Sequence, residues 1–127
     1  YHALCEQRSY RHIVLIGKSL GTLAMGHLLA TQTSTSGIHA IWLTPLVKYP
    51  LLRAQIKAFA GHALLVIGTA DSHYDADCLA DIGETVSRHF VVVGGANHSM
   101  GLANDARASI QVLARVMEAV EAFVNQI

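Results

Sequence analysis

His12-Ile-Val-Leu-Ile-Gly-Lys-Ser-Leu-Gly-Thr22 sets an apolar run directly against a serine flanked by glycines. Ile13 to Ile16 read as a buried strand, because a short, uninterrupted apolar run bounded by a turn signal suits a strand covered on both faces. Gly17-Lys18-Ser19-Leu20-Gly21 follows at once and leads into the helix-compatible run Leu20 to Ala30. This is the G-x-S-x-G pattern in its strand-to-helix context. The turn it implies is so tight that the residues two before and two after the serine are expected to lack a Cβ. Ser19 then stands on a strained corner with its hydroxyl exposed, a nucleophile in need of a base.

Working outward, the chain repeats a strand and helix alternation. Ile38 to Leu43, with Trp42 assigned to the core, reads as a second buried strand after the polar loop Thr31 to Gly37. Tyr49 to Phe59 places Leu52, Ile56 and Phe59 at helical spacing, with Pro50 suited to a first turn. Leu64 to Ile67 is a third strand, released by Gly68-Thr69-Ala70-Asp71, and Cys78 to Ile82 opens a helix for which Asp77 is the expected cap. Phe90 to Val93 is a fourth strand, followed by the loop Gly94-Gly95-Ala96-Asn97-His98-Ser99. From Asp105 a terminal helix carries the stripe Ile110, Leu113, Val116, Met117, Val120, Phe123 and Val124, expected to pack on the sheet. Tyr1 to Arg11 reads as the tail of a helix feeding the first strand. The pattern predicts an α/β fold: a parallel sheet of about four strands flanked by helices, formed by residues 1–127 as a single domain.

Serine, aspartate and histidine thus follow three successive strand ends in the order Ser19, Asp71, His98. In these stretches the chain resembles the α/β-hydrolase family, in which the acid follows a later strand and the histidine lies in a loop beyond the next. The resemblance implies a Ser19–His98–Asp71 triad that cleaves an ester or thioester through an acyl-enzyme, with the backbone N–H of Leu20 as one oxyanion-hole donor. Asp75 and Asp77 lie close enough to stand in for the acid, but the family pattern points to Asp71. The implied partner is a small acyl ester, with no cofactor and no metal. The resemblance covers the carboxyl-terminal half of the family fold, from the elbow onward. Strands that precede the elbow in the family have no counterpart here, which makes Ile13–Ile16 an expected sheet edge. The expectation follows that this edge pairs with a missing amino-terminal portion or with another copy.

Composition narrows the alternatives. Nine basic and nine acidic residues cancel, and no basic run suggests nucleic acid or a membrane surface as a partner. No apolar run approaches the ~20 residues that cross a bilayer, so a cytoplasmic protein is expected. Cys5 and Cys78 are too few for a disulfide framework, and His73 and Cys78 among the aspartates match no zinc spacing. Gly17-Lys18-Ser19 imitates the end of a phosphate-binding loop. That motif needs a glycine five positions earlier, where His12 stands. His27, in the elbow helix, is expected to be a core or rim residue. The competing functional reading is a non-catalytic hydrolase-like domain used for binding or scaffolding.

Overall fold

A computed structural model describes residues 1–8 and 10–127. Strands and helices alternate as α1 (His2–Gln7), β1 (Ile13–Lys18), α2 (Leu20–Ala30), β2 (Ile38–Leu43), α3 (Pro50–Ala58), β3 (Ala63–Gly68), α4 (Ala76–Ile82), β4 (Arg88–Val93) and α5 (Ala106–Val124). The four strands form one all-parallel sheet in the order β1-β2-β3-β4. This is the expected α/β architecture. The outer strands run further than their apolar runs, because backbone pairing continues through Lys18 and back to Arg88, where side-chain hydropathy gives no signal. At the amino end a helix does precede β1, but it stops at Gln7; Ser9, within the same stretch, lies outside the described residues.

Alternation along each strand divides the core in two. On one face Ala40, Trp42, Leu65 and Ile67 meet Met25 and Leu29 of α2, Leu52 and Ile56 of α3, and Leu79 and Ile82 of α4. On the other, Ile41, Leu64 and Val66 meet Val112, Val116 and Phe123 of α5. Trp42 is fully buried, as expected. The central strand β3 is buried at every position, whereas β1 occupies an edge and leaves Ile16 61% exposed.

The terminal helix departs from expectation. Met117, assigned to the core, is 56% exposed, and Ile110, Leu113 and Val124 are exposed with it. Val112, Val116 and Phe123 occupy the sector that meets the sheet, so the neighbouring sector of the same broad apolar stripe projects past the contact. His27 is also exposed, at the rim rather than in the core. The cap of α4 is Asp75, not Asp77: its carboxylate accepts from Cys78 N at 2.9 Å, and the helix begins at Ala76. Asp77 falls inside the first turn, where its side chain no longer reaches the cap position. Those amide contacts hold the Asp75 carboxyl below its ordinary range.

Arg88 is a buried cation. Its guanidinium donates to the carbonyls of Ile56 at 3.0 Å, Lys57 at 3.1 Å and Phe59 at 3.4 Å, which end α3. It also donates to Ile82 at 3.0 Å and Gly83 at 3.2 Å, which end α4. A cation at two helix carboxyl ends satisfies carbonyls that lack intrahelical partners and complements both dipoles. Burial lowers the tendency of Arg88 to stay charged, and the carbonyl fork is what offsets it.

Candidate active site

Ser19 links β1 to α2 with φ 53° and ψ −121°, a left-handed backbone that a non-glycine residue adopts only when its surroundings enforce it. Its N–H donates to Leu43 O of β2 at 3.1 Å, and its carbonyl accepts from Thr22 N at 2.9 Å. Of the two glycines that flank it, only Gly17 is sterically required. A Cβ there would lie 2.8 Å from the carbonyl oxygen of Gly21 and 3.2 Å from Met25 Cε. At Gly21 a Cβ would meet nothing within 4 Å, which corrects the expectation that both positions must lack one. The turn is tight on its strand side; on its helix side Leu20 and Gly21 face outward.

Asp71 follows β3 and is buried, with no side-chain exposure. Both carboxylate oxygens are used: Oδ1 accepts from His73 N at 2.8 Å, and Oδ2 lies 2.8 Å from His98 Nδ1. On its other side His98 Nε2 lies 2.7 Å from Ser19 Oγ. The structure therefore brings Ser19, His98 and Asp71 into one hydrogen-bonded line. Asp75 and Asp77 stay outside it, at the start of α4.

The loop that carries His98 must reach from β4, at one edge of the sheet, to the end of β1 at the other. It is held along the way. Ala70 N donates to Ala96 O at 3.0 Å, and Gly68 approaches that carbonyl so closely that a Cβ would sit 2.0 Å from it. Gly95 N donates to Thr69 Oγ1 at 2.8 Å, and Asn97 Oδ1 accepts from Ser99 N at 2.9 Å and Gly101 N at 3.1 Å. Lys18 Nζ donates to the carbonyl of His98 itself at 3.2 Å. Sequence reasoning missed these supports. Nothing in the spacing of the sequence reveals that Lys18 reaches the His98 carbonyl or that Thr69 reaches Gly95, and Asn97 reads only as a residue of its own loop.

Around Ser19 the surface is open and partly apolar. Leu20 is 72% exposed, Tyr49 is exposed, and the His73 ring sits 5.8 Å from that of His98 and 6.3 Å from Tyr49. As the first residue of α2, Leu20 has a backbone N–H with no acceptor within the helix. Among the described residues no group of three histidines, cysteines, aspartates or glutamates is arranged to hold a metal ion, and Cys5 and Cys78 are both free. Likewise, among the described residues, no helix is long and apolar enough to cross a membrane. Comparison of the chain with family models, curated proteins and solved structures finds no match.

Proposed function

We propose that this chain is a serine hydrolase of the α/β-hydrolase type that cleaves a small ester or thioester. The observation that carries the reading is the unbroken line Ser19 Oγ, His98 Nε2, His98 Nδ1, Asp71 Oδ2, with 2.7 Å and 2.8 Å steps and a buried acid. In this reading His98 Nε2 accepts the Ser19 proton as Oγ adds to the acyl carbonyl carbon. The same nitrogen returns the proton to the departing alkoxide or thiolate, leaving an acyl ester on Ser19. Water, deprotonated by His98, then adds to that ester, and Ser19 leaves with the proton restored. Asp71 keeps Nδ1 protonated so that Nε2 presents a lone pair to the serine. The N–H of Leu20, at the positive end of α2, donates to the developing oxyanion.

The reading extends to the open edge. Among the described residues β1 carries backbone groups with no partner strand on one side, beside an exposed Ile16, and such an edge invites pairing. We assign it to a further amino-terminal portion or a second copy, which would also supply the second oxyanion donor. Losing one such donor typically costs ~10²–10³ in rate, so residues 1–127 alone should hydrolyse p-nitrophenyl acetate weakly. A folded monomer with rapid turnover would remove this part of the reading. Free, unpaired Cys5 and Cys78 support a reducing, cytoplasmic setting.

The exposed Ile16 and Leu20 beside Ser19 also favour a second reading, a binding domain that uses this surface for a partner. Labelling by a fluorophosphonate probe separates the two. Covalent capture at Ser19, lost in Ser19→Ala and suppressed in His98→Ala, supports the hydrolase. An unreactive Ser19 in folded protein leaves the binding domain.

A further inference from the structure

The opposite, amino-terminal end of the sheet gathers three imidazoles from positions far apart in the chain. His12 precedes β1, His39 lies in β2 and His62 precedes β3. His12 Nδ1 is 3.1 Å from His39 Nε2, with the two rings stacked at 5.4 Å, and the His39 and His62 rings are 5.5 Å apart. His39 is only 7% exposed, and its Nδ1 is buried with no hydrogen-bond partner. His12 and His62 are exposed.

We propose that this ladder is an acid-sensitive latch that holds the edge strand β1 to β2 while the imidazoles are neutral and loosens it when they take up protons. The hydrogen-bond inventory dictates the neutral state. An imidazole offers one donor and one acceptor when neutral and two donors when charged. With His39 Nε2–H donating to His12 Nδ1, the buried His39 Nδ1 is a bare lone pair, the cheapest group to leave unpaired there. Protonating His39 puts a buried N–H on Nδ1 with nothing to accept it. Protonating His12 puts a hydrogen on the nitrogen that His39 already uses as its acceptor. Either route breaks or burdens the contact between β1 and β2.

Among the described residues no counter-charge relieves it. Burial is the main influence that opposes a positive charge on His39, and the titratable groups that act on it, His62 and His12, add to it in the same direction. β1 presents Val14 in register with His39, and α5, which covers this sheet face, turns Val112, Val116 and Phe123 toward it. The sign follows: the unfolded or opened strand binds a proton more readily than the closed one. The latch is therefore intact above the ordinary histidine range, near pH 6.5, and weakens as pH falls below it.

Amide hydrogen exchange on the intact chain tests this, compared at about pH 7.5 and about pH 5.5 after correction for intrinsic rates. The Ile13 amide, bonded to Gly37 O at 2.9 Å, reports the β1–β2 end, and the Thr69 amide, bonded to Val93 O at 3.0 Å, reports β3–β4. Acid should lower protection at Ile13 by up to roughly tenfold and leave Thr69 unchanged, since one proton contributes up to tenfold per pH unit below the ordinary histidine value. His39→Leu should abolish the difference. Should that variant not fold, the double exchange His12→Gln with His62→Gln, at two exposed positions, should shrink it. Equal loss at Ile13 and Thr69, or an acid effect undiminished in the folded variants, would overturn the latch. So would a His39 ring resonance that titrates at or above the ordinary histidine value.

Discussion

Each end of the sheet holds a histidine between two partners, and the partners differ. At the carboxyl ends of the strands His98 lies between a hydroxyl and a buried carboxylate; at the amino ends His39 lies between two other imidazoles. One carboxylate separates the two chemistries. Beside Asp71 an imidazole can take up a proton and remain hydrogen-bonded on both nitrogens. Beside His12 and His62 a positive charge finds, among the described residues, no acceptor for its second nitrogen and no counter-ion. The comparison teaches that a histidine's use is set by what its second nitrogen meets, not by its burial or its place on a strand end.

Four experiments break or sharpen that contrast. Ser19→Ala removes the group that gives His98 something to do, and should reduce turnover of p-nitrophenyl esters by on the order of a millionfold without unfolding the chain. Undiminished hydrolysis by the folded variant would end the catalytic side of the comparison. Asp71→Asn makes the carboxyl end resemble the amino end by deleting the acid; about 10⁴-fold lower turnover is expected, with Asp75→Asn and Asp77→Asn nearly silent. A crippling effect at Asp75 instead would show that the acid is misassigned.

Arg88→Met tests whether a buried basic group at the amino end of β4 follows either rule. It is held by carbonyls alone, so its loss should cost stability, about 2–4 kcal/mol by urea unfolding, at every pH near neutrality. A cost confined to one side of pH 6.5 would place Arg88 in the histidine network. The smallest effect and the sharpest test is His62→Glu, which gives His39 the carboxylate it lacks. A group whose folded affinity for protons is raised stabilises at low pH and loses that contribution as pH rises. The slope of stability between about pH 5.5 and 7.5 should therefore reverse relative to the parent, by up to tenfold in the folding constant per pH unit. An unchanged sign would mean that position 62 does not act on His39.

Much of the carboxyl end was legible in the chain because its chemistry sits immediately after apolar strands. Ser19, Asp71 and His98 each follow one, and a parallel sheet in sequential order delivers successive strand ends to one side. The β1 edge was legible for the same reason, since no strand precedes it in these residues. What failed depended on which of several equivalent residues a neighbour selects. Asp75 and Asp77 are chemically alike, and only the backbone of α4 decides which one caps it. Met117 and Val116 share one stripe, and only the tilt of α5 on the sheet exposes the first and buries the second. His39 was hidden inside the run Ile38 to Leu43, where its neighbours are apolar and its partners lie 27 residues before and 23 after.

Arg88 also has a consequence for how the molecule assembles and comes apart. Its acceptors belong to two separate helix ends, and its own backbone belongs to the last strand, so no two of these pieces can complete the fork alone. Release of either helix end would strand a buried cation with half its acceptors, a cost comparable to opening both. The ends of α3 and α4 and the start of β4 therefore form one cooperative unit, fraying together or not at all. A chain growing from its amino terminus holds the carbonyls of Lys57, Ile82 and Gly83 without this donor until residue 88 arrives to join the two ends.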